Sequence, residues 1–469
     1  MHGIYGISSA LVISGMLIGA GLAAPVPAVS PDLPADVADA TGGGAPFPEF
    51  DDFSWRSFIA LNWPAGTSAA NRGQPDTSRS FGDASGPRVW TTWKSRLEIF
   101  QPPDAAVQPV APAAWQSFDG KNPCGPAVSS EVQTLSAFSA FGDFNQADFS
   151  MTALSNPLVA QNRTYLRYDV RVNETQFNSI VGHKWYIESN LPTRDNPVPF
   201  ANGSVEVKAA WRLLTAADTP EVRARYYVLN GAMVFDVESA TCKPQDVALV
   251  GLHIVSKTPS RPQWIWSSFE HVDNVPGVTD EPAPPAGISR SLNDAARPQA
   301  LDPGVAPLAL SAANPPAIDP DPMQVVRQMP IEASTMQTNR AYWALPEIKG
   351  TVWENYMLVM TQWPTDMLPE GPTNSGSPFP DSGTNLANTT METYFQQDAS
   401  CMVCHNMANR KGRDFVMFVT FDAFRPGVPA PAALFGEKLG FPPLSPGTAE
   451  TQEMIRELTD FVQATKSAQ

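Results

Sequence analysis

The sequence predicts an α+β protein, in which a β-rich N-terminal domain is followed by a small, mostly α-helical C-terminal domain. Short segments rich in Val, Tyr and Leu, bounded by Gly, Pro, Asn or Asp, recur between positions 165 and 255 and are typical of strands. From about Asn385 the apolar residues follow helical spacing instead. The 469 residues include 47 Pro, roughly twice the usual share of about 5%. Long uninterrupted helices are therefore excluded as the main architecture.

The pattern places each element in order along the chain. A short helix is expected to begin near Asp52, and a second helix is expected over 174–186. Strands are predicted at 165–172, 205–214, 225–235, 247–255 and 352–363. The last of these lies beyond a Pro-rich stretch, so the chain is expected to return to the sheet of the first domain.

Changes in composition divide the chain into segments. Pro and Ala are concentrated at 275–325, where aromatic residues are almost absent, and Pro, Ala and Gly dominate 25–50. The predicted divisions are a signal peptide (1–24), a flexible lead-in (25–50), a β-rich domain of unknown function (51–274), a linker or surface belt (275–325), a return segment (326–384) and the helical domain (385–469).

Residues 4–24 form an uncharged, apolar run that ends in small residues. Such a run is typical of a secretory signal peptide, although the residues before it include no Lys or Arg. An uncleaved anchor and a wrongly assigned start codon are the alternatives. No later stretch approaches the 18 apolar residues of a membrane span. The mature chain is expected to be periplasmic or secreted, without a membrane span, in a compartment that permits disulfides.

The net charge is −16, from 31 basic and 47 acidic residues. A general nucleic-acid binder needs the opposite sign, so no nucleic-acid partner is expected. An acidic surface is compatible with a basic protein partner.

The most specific motif is Cys401-Met402-Val403-Cys404-His405. Two thiols three positions apart can each add across a vinyl group of haem, and the adjacent imidazole can then bind the iron as proximal ligand. A zinc site would require further ligands, and no other CxxC or close His pair occurs in the sequence. A thioredoxin-like dithiol would follow a strand in a βαβ context, which the flanking residues do not show. An incidental pair of structural cysteines is the remaining alternative.

With this motif, the last 85 or so residues resemble a small monohaem c-type cytochrome domain. The resemblance implies one covalent haem c, a helix before the motif and a C-terminal helix packed against it. Segments 385–396 and 451–466 have the spacing for these helices. The whole chain also resembles uncharacterised bacterial cytochrome c family proteins with long N-terminal regions, through residues 55–64 and 264–274. That wider resemblance implies no established activity.

The family usually binds the iron with a second ligand, a methionine well downstream of the motif. Here Met407 follows the proximal ligand too closely, so Met417 is the candidate distal ligand. A histidine from the large domain (His183, His253 or His271) is the competing choice, although a lone His on a strand is more often a satisfied core residue. A vacant or water-bound position is the third possibility.

Cys124 and Cys242 are the two cysteines outside the motif. In an oxidising compartment they are expected to form a disulfide with each other, and two free buried thiols are the alternative.

Three functions are compatible with this sequence. The first is an exported haem protein that transfers single electrons to and from a redox partner protein. The second is a haem-dependent oxidoreductase whose N-terminal domain binds the substrate, in which the acid, base and amide groups of 270–274 could act. Those same groups could instead end a strand and cap its backbone. The third is a haem-based ligand sensor, which requires an open or displaceable sixth position on the iron.

Overall fold

The structure is a computed structural model. It describes residues 27–37, 47–100, 108–118, 134–135, 157–236, 239, 241–278, 281–299, 316–365, 378–380, 386–424 and 456.

Nine strands and seven α-helices occur in the described part of the chain. The strands are β1 (Lys94–Ser95), β2 (Thr134–Leu135), β3 (Arg167–Val172), β4 (Val205–Leu213), β5 (Val228–Asp236), β6 (Thr241–Ser256), β7 (Ile265–His271), β8 (Tyr356–Pro364) and β9 (Pro378–Phe379). The helices are α1 (Phe47–Leu61), α2 (Arg96–Ile99), α3 (Glu174–His183), α4 (Pro220–Arg223), α5 (Ala333–Trp343), α6 (Cys401–Arg410) and α7 (Phe418–Asp422).

The strands form one large sheet in the order β1-β3-β4-β6-β7-β8-β9. All neighbours along this order are antiparallel. The long strand β6 also pairs with β5 through its first half, and β5 pairs with β2. The predicted α+β class with a β-rich region is therefore confirmed. A cytochrome-like helical domain over 385–469 stays a prediction.

One face of the sheet is covered by α1 and α5. The ring of Phe58 on α1 stacks on Phe269 of β7 at 4.4 Å between centroids, and Trp55 stacks on Tyr342 of α5 at 5.0 Å. All four side chains are fully buried or nearly so. Because successive strand residues point to opposite faces, the neighbour of Phe269, Ser268, lies on the other face. That second face carries the residues of the candidate site.

The predicted strands agree with the structure to within a few residues, except that β6 begins at Thr241 rather than near Val247. The helix predicted over 174–186 is α3, which begins after the N-cap Asn173, whose side chain accepts a hydrogen bond from the Gln176 backbone NH. The segment 352–363 begins as a 3₁₀ helix and becomes strand β8, which pairs with β7. The chain thus returns to the main sheet after the Pro-rich stretch.

The helix predicted over 385–396 is wrong for residues 386–395, which form a series of turns. Polar side chains explain this difference, because Asn, Thr and Asp side chains compete with the helical hydrogen bonds of the backbone. Asn388 Oδ1 accepts hydrogen bonds from both the backbone NH and the hydroxyl of Thr390. The backbone NH and the hydroxyl of Thr389 both donate to the carboxylate of Glu270. The segment is consequently fixed to the second face of the sheet.

Two described stretches of the Pro-rich region, 281–299 and 316–325, lie against the sheet domain. The Val325 NH donates to the Leu292 carbonyl at 3.0 Å, and the Met323 NH donates to the Val159 carbonyl at 3.1 Å. Leu292 and Val325 are fully buried. Leu292 and Val325 therefore belong to the core, although the stretches around them have no regular secondary structure.

Several predictions lie outside the described residues. These are the signal peptide at 1–24, Cys124, and the C-terminal helix at 451–466 apart from Arg456. Within the described part of the chain, no helix is long and apolar enough to cross a membrane.

Candidate functional site

The Cys-x-x-Cys-His motif forms the first turn and a half of α6. Ser400 is the N-cap, and its hydroxyl accepts a hydrogen bond from the Val403 NH at 3.4 Å. Gln362 of β8 fixes the start of this helix, since its amide accepts from the Met402 NH at 2.9 Å and donates to the Ser400 hydroxyl at 3.1 Å. The motif is thereby attached to the second face of the sheet, which the sequence alone does not indicate.

Cys401 and Cys404 are both free thiols and both half-buried. Residues three apart on a helix share a face, so the two sulfur atoms project to the same side. Burial raises the pKa of the Cys404 thiol to about 12, and Glu392 adds to this shift while Lys208 opposes it. Burial and Glu392 likewise raise the pKa of the Cys401 thiol. Both groups are therefore neutral thiols at physiological pH.

His405 has one ring nitrogen bonded and one without a partner. Its Nδ1 donates to the backbone carbonyl of Phe415 at 2.8 Å, since a carbonyl oxygen can only accept. Among the described residues, Nε2 has no hydrogen-bond partner. Burial lowers the pKa of His405 to about 4, so that the ring is neutral and its lone pair lies on Nε2.

A neutral imidazole with Nδ1 bonded to a carbonyl is the form in which histidine binds metals. The ring is also held on its side by Trp266 of β7, with 4.5 Å between the ring centroids. Position and tautomer of the imidazole are thus both determined by the protein.

The carbonyl that binds His405 is presented by an unusual backbone segment. Asp414 and Phe415 have φ values of 46° and 65°, a left-handed conformation that costs of order 1–3 kcal/mol for a non-glycine residue. The buried ion pair of Asp414 with Lys257 holds this segment at 3.0 Å. The Phe200 NH donates to the Asp414 carboxylate at 2.8 Å, and Trp264 Nε1 donates to the Asp414 carbonyl at 3.0 Å.

Three ionisable side chains lie beside the motif on the second face of the sheet. Lys208 of β4 is directly opposite His253 of β6 in the strand register. Glu392 lies 3.4 Å from His253, measured from Oε2 to Nε2, and its Oε2 accepts from the Asn388 NH at 2.8 Å. Lys208, His253 and Glu392 all interact electrostatically with His405.

Met417, the predicted distal ligand, is two residues from Phe415. It is 9% exposed and precedes α7 as part of the packed segment 415–419. Its role as the distal ligand stays a prediction.

His271 is a satisfied core residue. Its Nδ1 accepts from the Asp273 NH at 3.1 Å, and its Nε2 bonds to the Arg225 carbonyl at 3.0 Å. The ring stacks on Tyr226 at 3.8 Å between centroids. Since both nitrogens are engaged and the ring is fully buried, His271 is available neither to a metal nor for acid–base chemistry.

The other polar groups of 270–274 are also used internally. Asp273 forms a two-pronged ion pair with Arg225. Glu270 is fully buried with Arg327 at 2.8 Å. This arrangement favours the structural interpretation of the segment over the catalytic one.

Cys242 of β6 is disulfide-bonded. Its predicted partner, Cys124, lies outside the described residues, so the pairing with Cys124 stays a prediction.

Sequence reasoning missed the residues that support the motif, namely Gln362, Trp266, Glu392, Asp414 and Phe415. Trp266 belongs to the aromatic segment that carries the family resemblance, which is the only sequence signal for any of them. Gln362 is brought to the motif by the packing of α6 on β8, and no sequence pattern indicates the roles of Glu392, Asp414 and Phe415.

Comparisons of the chain with protein-family models, with curated proteins and with solved structures found no match in any of the three sets. Within the described part of the chain, no group of three or more His, Cys, Asp or Glu side chains is arranged to hold a metal ion.

Proposed function

We propose that Cys401, Cys404 and His405 hold one covalently attached haem c, and that the protein is an exported one-electron carrier. The observation that carries this proposal is the state of His405. Its Nδ1 proton is held by the Phe415 carbonyl, while Nε2 has no partner among the described residues. Metal-ligating histidines typically have this arrangement, with one nitrogen bonded to a carbonyl and the other on the metal.

The two thiols support the same proposal. Attachment would join each cysteine to the porphyrin by addition of its S–H across a vinyl C=C, so that a carbon–sulfur bond would form and the thiol hydrogen would pass to the second carbon. Cys401 and Cys404 are free and project to one side of α6, as both additions require. When bound, the haem supplies a one-electron redox centre.

The surroundings of the thiols argue against a dithiol–disulfide enzyme. Reactive cysteines of that class have lowered pKa values, because the thiolate is the nucleophile. Here burial and the carboxylate of Glu392 raise the pKa of both thiols. The position at the start of α6, which would favour a thiolate, is outweighed.

The chain's own residues would keep the imidazole ready for the iron. Phe415 holds the proton at Nδ1, and Trp266 limits rotation of the ring. The Asp414–Lys257 ion pair keeps the Phe415 carbonyl in position. A net charge of −16 is compatible with a basic redox partner protein, and the apolar N-terminal run is compatible with export to the periplasm or medium.

The test is expression of the full chain in a bacterium with an active cytochrome c maturation system. Wild-type protein should retain haem staining after denaturing electrophoresis, and the Cys401→Ala/Cys404→Ala variant should lose it. Val403→Ala is the matched control, since Val403 lies between the two cysteines and is 39% exposed. Staining that persists in the double variant, or is absent from the wild type, would refute the proposal.

A further inference from the structure

His253 lies near the Cys-x-x-Cys-His motif, although it precedes Cys401 by 148 positions in the sequence. It is on β6, directly opposite Ser268 of β7. Val255, two positions further along β6, is directly opposite Trp266 of β7. Directly opposed residues share a face of the sheet, and diagonal neighbours are about 7–8 Å apart. His253 is therefore a diagonal neighbour of Trp266, whose ring contacts His405 at 4.5 Å.

The Nε2 atom of His253 is buried and has no hydrogen-bond partner in the described structure. The Glu392 carboxylate lies 3.4 Å from it but outside hydrogen-bond geometry. A buried polar atom without a hydrogen-bond partner is destabilising and calls for an explanation. His271 on the adjacent strand shows the contrast, since both of its ring nitrogens are bonded.

The groups that face His253 are the ones that border the motif. Lys208 lies opposite it on β4, Ser268 lies opposite it on β7, and Glu392 approaches from the segment 386–395. His405 interacts with it electrostatically from α6. Two imidazole Nε2 atoms without hydrogen bonds, on His253 and His405, thus belong to one cluster of side chains.

We propose that His253 would bind the haem iron through Nε2, as a second histidine ligand in addition to His405. This inference rests on the proposed function, since it requires a haem on Cys401, Cys404 and His405. Ligation would give the buried nitrogen a partner. It would also make the large sheet a contributor to the redox centre, because the second ligand would come from β6 and not from the residues after the motif.

Spectroscopy of the full-length wild-type holoprotein is the first test and needs no variant. The ferric protein should be low-spin with two imidazole ligands by electron paramagnetic resonance and near-infrared magnetic circular dichroism, and the ferrous protein should not bind carbon monoxide. A thioether-ligated or high-spin ferric haem would overturn the inference. A chain without covalent haem would overturn the proposed function as well, so the two failures are distinguishable.

Variants give the second test. His253→Ala should convert the ferric haem to high-spin and allow the ferrous haem to bind carbon monoxide, with low-spin character restored by added imidazole. His253→Met should keep the haem six-coordinate and raise its midpoint potential, because a thioether ligand raises the potential. His183→Ala, at an exposed histidine on α3, is the control and should leave the spectra unchanged. Unchanged low-spin spectra in folded His253→Ala would overturn the inference.

Discussion

His405 Nδ1 donates a hydrogen bond to the Phe415 carbonyl at 2.8 Å, and this bond ties the motif helix α6 to the segment just before α7. Phe415 can offer its carbonyl there because it and Asp414 both adopt left-handed backbone conformations. The chemistry proposed for the cysteine motif thus depends on a backbone geometry ten residues downstream.

Asp414→Asn tests whether the ion pair with Lys257 positions that carbonyl. Asn tolerates the left-handed conformation, but the change leaves the buried Lys257 ammonium without its carboxylate. We expect a loss of about 3–5 kcal/mol in the free energy of unfolding. In the holoprotein we also expect a higher midpoint potential, since a weaker bond at Nδ1 makes the imidazole less basic.

Urea unfolding and spectroelectrochemistry measure these two effects. Lys257→Met is the companion variant, and it should shift the potential in the same direction by loosening the same segment. A loss of stability with no change in potential in either variant would show that the ion pair only supports the fold.

Gly412→Ala tests the close approach that anchors the end of α6. Gly412 has a φ of 89°, and a Cβ there would collide with the Thr193 carbonyl. Gly350→Ala is the matched control, because Gly350 has a similar φ of 77° with no atom within 4 Å of the added Cβ. We expect the control to cost about 1–2 kcal/mol for the left-handed conformation alone, and Gly412→Ala to cost clearly more. Equal losses of stability for the two variants, measured by thermal unfolding, would contradict the expected collision with the Thr193 carbonyl.

The sheet was largely predictable from the sequence because its strands carry a strong local signal. The segment 205–214 combines β-branched and aromatic residues between turn formers, and β4 occupies nearly the same residues. The helix predicted over 386–395 is wrong because the apolar residues have helical spacing, whereas Asn388 and Thr389 form hydrogen bonds with residues of β7. The local spacing of apolar residues carries no information about such partners, which lie over a hundred positions away in the sequence.

The candidate site divides in the same way. The three residues of the motif lie close together in sequence and could be named from it. Trp266 and His253 reach the motif through the register of the sheet, and Phe415 reaches it through the left-handed backbone at Asp414 and Phe415. The sequence also could not separate His253 from His271. In the described structure both ring nitrogens of His271 have hydrogen-bond partners, whereas Nε2 of His253 has none, and this difference is a property of the packed structure.

Asp51→Asn should change how stability depends on pH. Asp51 is fully buried, and its carboxylate accepts hydrogen bonds from the hydroxyls of Thr335 and Thr361. Burial raises its pKa from 3.8 to about 7. The folded state therefore binds the proton more tightly, so that this group lowers stability progressively as pH rises from about 4 to 7, by up to about 4 kcal/mol.

We expect Asp51→Asn to gain stability relative to the wild type over that interval, as measured by urea unfolding at a series of pH values. Asp195→Asn, at an exposed position, is the control for loss of one charge. A difference between Asp51→Asn and the wild type that does not grow from pH 4 to pH 8 would be inconsistent with the raised pKa.

His271→Gln should also change how stability depends on pH below neutrality, in the direction opposite to Asp51→Asn. Burial lowers the pKa of His271 from 6.5 to about 4. The unfolded state then binds more protons, so this residue's contribution to stability is lost as pH falls from about 6.5 to 4, by up to about 3 kcal/mol. We expect the variant to be less stable at neutral pH, because its packing on Tyr226 is lost, but to lack this acid-dependent decrease.

The comparison is cleanest in the Asp51→Asn background, since the two residues act in opposite directions over the same pH interval. His183→Gln in that background is the control. Parallel pH profiles for the His271→Gln and His183→Gln variants would show that His271 does not titrate as expected.

Covalent attachment of haem to the cysteine motif is the central claim, and the mass of the purified, denatured full-length chain measures it most directly. After matured expression and extraction with acidified ketone, which removes non-covalent haem, we expect the wild-type chain to carry the added mass of one haem, located on the peptide that contains Cys401 and Cys404. A chain with the mass of the polypeptide alone, with all haem in the extract, would contradict the account.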